Sequence, residues 1–598
     1  MTETATPKKK HRVLKWVTVV AAIIILLLAA AAWYVNKKWK PLLTDAIQNA
    51  LIDASDSLYT VKFSDIQVNI LSGNATVDSI QLIPNLNVYE KMKASGDAPE
   101  NLFSLKIFKL SLKNVKPIKV YQQKKLDIKN ITIQNPELDV FYTKIANKKS
   151  KPKDNRSPYE RIKKSLKELK INSLFLTDVK FRYIDQSYKE PKITEFDQMN
   201  IRVNDILVDS LSHTDTTRIF NAKDIIAEIN NYSYPTADSL YFIKIKHAFV
   251  SSKKKQLAIA GMELAPRLGE MAFAAQFKRQ QERYKLYFDS VLVNQLNFNE
   301  LVDNRRIKTK NVVLQNGNFD VFMSRAKPPK LIDKGVNYPH LALRRLKWDV
   351  IADTVTIKNT QVAYAEYNPK TDAKGTVYFK QLHGRIFHVT NDSLYLKKDV
   401  TADAFLQARV MGEGRLDIHI AFNLIDPKGA FSYKGTLGAM SFNTLNPLTK
   451  PLAMLATKSG ELQSLDFDIK GNVNGASGTL VMKYKDLKIA VMKKDDEDHL
   501  KKSGIISFLA NALLVKNANP DGDEPLRVAH PSYQRPHDAS FFNLMWKTVF
   551  EGLKTSVGIT KDKEDNLKKR ADKYKQSKLE REKRREERVK RRKERKEK

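Results

Sequence analysis

The 598-residue chain contains no cysteine. Disulfides, thiolate nucleophiles and Cys-based zinc or iron–sulfur sites are therefore excluded. A chain free of stray thiols suits an oxidising compartment. The usual signatures of catalysis are missing as well. Among the ten histidines none forms an H-E-x-x-H pair, no G-x-S-x-G elbow occurs, and Gly471–Gly478 lacks the lysine of a phosphate loop. His383 and His388 stand five apart in a strand region, on opposite faces, so they make no metal pair. Asp417 and His419 share a face, without an activated serine. The expectation is a protein that is not an enzyme, with no catalytic residue, metal or cofactor. Acidic residues are scarce relative to basic ones: 104 Lys+Arg against 67 Asp+Glu leave +37. That balance points to anionic partners such as phospholipid headgroups, acidic polysaccharide or nucleic acid.

Long apolar runs are equally scarce, and the one present is informative. Trp16–Val35 carries no charge over twenty residues and is flanked by Trp16 and by Trp33-Tyr34. At 1.5 Å per residue it matches the roughly 30 Å hydrocarbon core. Lys8, Lys9, Lys10, Arg12 and Lys15 precede it; Lys37, Lys38 and Lys40 follow. This reads as a basic cytoplasmic segment (1–15) and a single-pass anchor (16–35), with the body on the far side of the membrane. A cleaved signal peptide ending near Ala30–Ala32 is the alternative. Residues 36–58 form an amphipathic segment, its stripe at 39, 43, 46, 47, 50 and 54.

From Tyr59 to about Met492 the apolar period becomes two, as in Leu138-x-Val140-x-Tyr142, Leu416-x-Ile418-x-Ile420-x-Phe422 and Leu465-x-Phe467-x-Ile469. Such alternation marks strands with one apolar and one wet face. Turns such as Asn135-Pro136, Asn316-Gly317 and Asp426-Pro427-Lys428-Gly429 punctuate them. About one strand per 15 residues predicts on the order of 30 strands, in a long antiparallel sheet that must twist and curl. Lys144–Lys167 reads as a charged loop followed by a short helix.

The body repeats. Lys129, Asn130, Gln134, Asn135, Asp139, Val140 and Phe141 recur as Lys310, Asn311, Gln315, Asn316, Asp320, Val321 and Phe322, displaced by 181. Phe196-x-Gln198 and Asp209-Ser210-Leu211 recur as Phe379-x-Gln381 and Asp392-Ser393-Leu394, displaced by 183. The copies span about 126–211 and 307–394. Stacked repeats imply an elongated body with a continuous face rather than a catalytic pocket.

Residues 493–560 hold a charged turn, an apolar helix candidate at Ser503–Val515 and a strongly amphipathic helix at Ala539–Ile559. Phe542, Met545, Trp546, Val549 and Leu553 lie on one stripe of that helix, widened by Phe541, Leu544 and Phe550. The stripe suits a membrane interface or a helix that plugs the end of the sheet. Residues 561–598 carry 20 Lys+Arg and 10 Asp+Glu, hence +10 of the total. Lys575–Lys598 has no aromatic residue for stacking on bases, so nucleic acid is an unlikely partner and a solvated or headgroup-binding tail is expected.

Two stretches carry a family resemblance. Val61-x-Phe63-x-x-Ile66-x-Val68-Asn69-Ile70-Leu71-Ser72-Gly73, leading to Ile80-x-Leu82-x-Pro84-Asn85, is similar to the first hairpin of AsmA-like envelope proteins. Gly435–Met440, Leu445–Leu448, Gly460-x-Leu462 and Leu465–Leu487 (within 415–492) resemble that family's C-terminal part. The family belongs to the bridge-like, groove-forming lipid carriers. The resemblance implies a cytoplasmic-membrane anchor, a periplasmic body, and phospholipid movement in support of outer-membrane biogenesis or homeostasis. It implies an outer membrane or an envelope partner as the contact of the C-terminal helix. The body is short beside the family's longest members.

An apolar face on so large a sheet must be covered, and acyl chains are one cover. The residues expected to line such a groove are Leu138, Val140, Leu416, Ile418, Ile420, Leu465, Phe467 and Ile469. Those expected at a membrane are Phe542, Met545, Trp546, Val549 and Leu553. Two alternatives stay open: a dry, two-sheet structural or assembly-regulating rod, and a eukaryotic surface protein glycosylated at sequons such as Asn130-Ile-Thr132.

Overall fold

A computed structural model describes residues 55–69, 72–116, 119, 122–145, 157–212, 214–494, 500–501 and 515–559, with isolated positions 576, 580, 583, 584 and 587. The anchor at 16–35, the basic segment before it, the amphipathic stripe at 39–54, residues 503–514 and nearly all of the tail lie outside the described residues. Among the described residues no helix is long and apolar enough to cross a membrane.

The chain is mainly β, as its alternation predicts. It divides into two compact units, residues 1–265 with 288–313 and residues 266–287 with 314–598. In the first unit the strands are β1 (Tyr59–Lys62), β2 (Asp65–Asn69), β3 (Asn74–Pro84), β4 (Asn101–Val115), β5 (Lys125–Gln134), β6 (Glu137–Tyr142), β7 (Glu168–Asp185), β8 (Lys192–Val208), β9 (Ala222–Pro235) and β10 (Tyr241–Ser251). β1 and β2 both pair with β3, and β3 with β4. β5 and β6 run on in line beside β4, and β7 to β10 follow as antiparallel neighbours.

One feature departs from the expected antiparallel body. β5 and β6 pair with β7 in parallel, Lys125 opposite Glu168 and Tyr142 opposite Asp185. A parallel pair needs a crossover of a dozen or more residues. The charged segment 143–167, which includes the short helix α1 (Pro158–Ile162), supplies it. Ser157 opens that helix with a capping box: its Oγ accepts from the Glu160 amide while the Glu160 carboxylate accepts from the Ser157 amide.

The strands β11 (Gln256–Pro266), β12 (Arg283–Asn294) and β13 (Arg306–Ser324) each contain a boundary between the units. In the second unit, α2 (Pro339–Arg344) precedes β14 (Asp349–Asn368), β15 (Ala373–Thr390), β16 (Thr401–Val410), β17 (Gly414–Asn423) and β18 (Phe431–Leu437). The pair β19 (Met440–Ser441) and helix α3 (Asn446–Ala453) lead to β20 (Leu455–Asn472) and β21 (Gly475–Val491). From β14 to β18, then β20 and β21, each strand is antiparallel to the next. Val528–Ala529 and Ser532–Gln534 edge β21, and α4 (Phe541–Ser556) closes the described chain.

The expected 30 short strands are fewer and longer, because many adjacent apolar runs belong to one strand that bends without breaking. Residues in left-handed backbone carry the repeat, some within strands and some, such as Lys124 and Arg305, at strand ends. Asn114, Lys124, Asn135 and Asp178 have φ of 54°, 55°, 47° and 54°; Gln295, Arg305, Asn316 and Asn359, displaced by 181, have 57°, 54°, 51° and 48°. Gln198 and Asp205 (55° and 52°) match Gln381 and His388 (54° and 54°) at 183. A left-handed residue inside a strand is the mark of a β-bulge, which adds a residue and increases bending. The ladders shift register around Asp178, between Leu176 and Phe181 in β7, and around Asn359, between Ile357 and Val362 in β14. Neighbouring strands bulge side by side, so the sheet of each unit creases along a line.

The second copy also keeps the first copy's spacing across the crossover. Asn135 and Asp178 stand 43 residues apart, as do Asn316 and Asn359, whose side chains are hydrogen-bonded at 3.0 Å.

The cores lie on the apolar faces. In the first unit Leu110, Leu126, Ile128, Ile131, Leu169 and Ile171 are packed beneath Leu166 and the α1 side chains Tyr159 and Ile162. A second cluster around Tyr59, Leu82, Leu102, Phe103 and Val140 is closed by Tyr89 of the helix Leu86–Ala94. The Tyr59 hydroxyl accepts from the Phe103 amide at 3.1 Å, and burial pushes its phenol well above the ordinary range.

Candidate functional site

Strand register turns the alternating sequence of the second unit into rows. One row runs Ile386, Ala404, Ile420, Tyr433, Ile469 from β15 to β20. The next runs Leu406, Ile418, Gly435, Phe467, Leu480, and a third runs Ala408, Leu416, Leu437, Leu465, Met482. The reverse side of the same strands is mostly polar, with the exposed rings of Phe387 and Phe405 among its charges. There Arg415 pairs with Asp417 at 2.8 Å, His419 Nε2 meets Asp403 at 2.6 Å, and the Thr436 hydroxyl donates to Asp466 at 2.8 Å. Asp417 and His419 do share that face, and each pairs with a different neighbour. His383 bonds to Gln407 and His388 to the Asp399 carbonyl, so the two act separately.

Cover over these rows is uneven. α4 lies on the β18–β21 end. Its Phe541 ring is 4.8 Å from Phe431 and 5.1 Å from Tyr338, and the Met545 carbonyl accepts from the Tyr433 hydroxyl at 3.0 Å. Burial raises the Tyr433 phenol well above its usual range and Tyr338 to about 12. A Cβ at Gly552 would stand 2.9 Å from Leu480, so only glycine lets the helix backbone lie this close to the strand. α3 packs near the opposite ends of the strands, where a Cβ at Gly375 would meet Leu452 at 2.5 Å and Asn368 donates to the Pro451 carbonyl at 2.8 Å.

The eight groove candidates divide accordingly. Val140, Ile420, Leu465, Phe467 and Ile469 are sealed, at 2, 6, 5, 9 and 0% exposure. Leu138, Leu416 and Ile418 are half-buried. The half-buried apolar surface goes on beyond the candidates. In the second unit it continues through Leu406, Ile386 and Val355. In the first unit Phe181, Phe196 and Tyr232 form a row across β7, β8 and β9 with centroids 6.2 and 5.1 Å apart, each half-buried.

The amphipathic helix lies where the sequence places it, but its buried face is rotated. Phe541, Leu544, Thr548, Gly552 and Ser556 are buried against the sheet. Of the five membrane candidates, Met545, Val549 and Leu553 flank this face and pack on the same core. Phe542 and Trp546 turn outward, 67% and 47% exposed. The small residues Thr548, Gly552 and Ser556, spaced by four, were the available signal for a helix seated tightly on a sheet. Lys547 is half-buried, and desolvation, helped by Arg325, lowers its ammonium.

Three further residues organise the start of α4. Arg535, 2% exposed at its side chain, donates to the carbonyls of Val473, Pro536, His537 and Ala539 and pairs with Asp333 at 2.5 Å. Asp333 is held below the usual carboxylate range by its hydrogen bonds from Gly335 and Arg535, against an opposing burial effect. His340 is sealed among Tyr338, Phe422 and the turn at Gly429, and burial lowers its imidazole. The chain matches no protein-family model and no curated protein sequence.

Proposed function

We propose that this is a membrane-anchored periplasmic protein that binds phospholipids on its apolar β face and conveys them, in support of outer-membrane biogenesis or homeostasis. The observation that carries the reading is the half-open stretch of that face around Leu416, Ile418, Leu406 and Ile386. Acyl chains would lie there at about 0.8 kcal/mol per buried CH₂ while headgroups remain in water. A row of similar apolar side chains holds a chain without one deep trap, so lipid slides. The anchor at 16–35 and the segment 36–58 would receive lipid from the inner membrane. Phe542 and Trp546 on α4 would meet the outer membrane or an envelope partner. No catalytic residue and no cofactor is required.

A second reading, a structural or assembly-regulating rod with a dry core, draws on the sealing of five of the eight candidate residues. Photo-crosslinking separates the two. A photoreactive amino acid at 416 or 418 of the full chain in its native membrane is expected to yield phospholipid adducts by mass spectrometry. Positions 417 and 436, on the polar reverse face, should yield none. Absence of adducts at 416 and 418 would leave the rod.

A further inference from the structure

Three loops meet at one edge of the second unit. The Arg344 guanidinium at the end of α2 donates to the Asp426 carbonyl at 2.9 Å. Asn391 donates to the carbonyls of Leu343 and Trp348 at 3.2 and 3.1 Å, and the Leu424 amide donates to the Val400 carbonyl at 2.8 Å. The segments 344–349, 391–400 and 424–429 are thereby held together.

Their outward surface is apolar and basic at once. Leu346, Trp348, Leu394 and Ile425 are 52, 42, 57 and 49% exposed. Between them Arg345, Lys347, Lys397, Lys398 and Lys428 are exposed, and among the described residues none of these forms an ion pair. Three carboxylates of the same loops are used in turns. Asp392 accepts from the Leu394 and Tyr395 amides, Asp399 from Thr401 and Asp426 from Ala430. Large apolar side chains left in water mark an interaction surface. The cations interleaved with them would repel a second copy of the same edge. They attract an anionic one, and a Trp among cations suits the headgroup layer of a bilayer.

We infer that this edge is a docking surface for a membrane rich in anionic phospholipid. The apolar side chains enter the interface and the lysines and arginines hold the headgroups. The inference stands apart from the lipid-conveying reading, because a dry rod could dock in the same way.

The absence of cysteine makes the test clean. Full chain carrying Leu394→Cys, labelled with an environment-sensitive dye and held in neutral nanodiscs, is titrated with phosphatidylglycerol vesicles or with phosphatidylcholine vesicles. Full chain carrying Thr436→Cys reports from the wet face of β18. The dye at 394 should shift to the blue with anionic vesicles only, and the dye at 436 should not respond. Adding Lys347→Ala, Lys397→Ala and Lys398→Ala should weaken the response by about fivefold per residue removed, about a hundredfold together. A variant with Trp348→Ala, its thermal unfolding unchanged, should also weaken it. Equal response to both vesicle types, equal response at 436, or no response at all, as for a surface that takes a protein partner, would overturn the inference.

Discussion

Placing a carboxylate on the apolar face at Phe467 and at Ile418 should have opposite consequences, although the two face each other through Gly435. Phe467 is 9% exposed, its ring 5.8 Å from Tyr433 and close enough to Gly435 that a Cβ there would stand 2.9 Å away. Removing such a ring costs about 3–5 kcal/mol in lost burial and cavity. An Asp in its place adds a desolvated, unpaired charge, which costs further kilocalories. The sum is comparable to the whole stability of a typical domain, about 5–15 kcal/mol. Phe467→Asp should therefore unfold the second unit. Ile418 is only half-buried, so its truncation forfeits about half of the roughly 1.5–3 kcal/mol of a fully buried side chain, and the carboxylate reaches water. Ile418→Asp should lower Tm by only a few degrees, at about 2–4 °C per kcal/mol for a unit of this size. It should also abolish lipid adducts from a photoreactive group at 416. Thermal unfolding by circular dichroism, followed by the adduct measurement, checks both. If Ile418→Asp unfolds the protein as fully as Phe467→Asp, the face is dry throughout and the groove is refuted.

His340 is buried beside Arg344, Asp426 and Tyr338, over whose ring Arg535 lies, and burial lowers its imidazole. The unfolded chain then binds the extra proton, so stability present above the ordinary imidazole value of 6.5 should be lost as pH falls through and below it; His340→Phe should flatten that part of a Tm-versus-pH curve, and an unchanged curve would contradict the assignment. Arg535→Met removes one donor from each of four carbonyls and from Asp333, of which Pro536, His537 and Asp333 keep a backbone donor, and should cost about 1–3 kcal/mol, read as a fall in denaturant midpoint. Gln381→Gly should raise stability by up to about 1–2 kcal/mol, since glycine adopts the left-handed bend without the penalty of a Cβ, and Gln381→Val should lower it. Gly552→Leu should lift α4 from Leu480 and expose the β18–β21 core to a hydrophobic dye.

Much of the fold was legible because a strand's two faces are written in its alternation: Leu416, Ile418 and Ile420 do share a face, and Asp417 and His419 share the other. The repeat was legible for a related reason. Asn135 and Asn316 recur because the same bend recurs, and asparagine tolerates left-handed backbone better than most residues. Two things were not legible. Periodicity shows which face a strand buries but not the direction of its neighbour: the short helix expected within 144–167 is there at Pro158–Ile162, but nothing in the pattern says that it lies between parallel strands. Nor does an amphipathic stripe say what covers it. Phe541 and Leu544 bury themselves on a sheet with the same chemistry that would bury them in lipid. The division of the candidate site into sealed and half-open residues depends on where α4 ends up, which is a long-range outcome.

The parallel pairing of β5 and β6 with β7 bears on how the protein becomes folded. Hairpins such as β7–β8 and β16–β17 join strands adjacent in sequence and can zip from their turns. Lys125 meets Glu168, 43 positions further on, only after the intervening chain has been gathered. Ring closure of that size must be completed before its contacts contribute, which delays it relative to the hairpins. β4 with β5 and β6 on one side, and β7 with β8 on the other, should therefore exist for a time as separate sheets with bare edges. Open strand edges invite pairing with other chains. The lysines along 144–167 would repel a second copy at that stage and so disfavour pairing between two such edges.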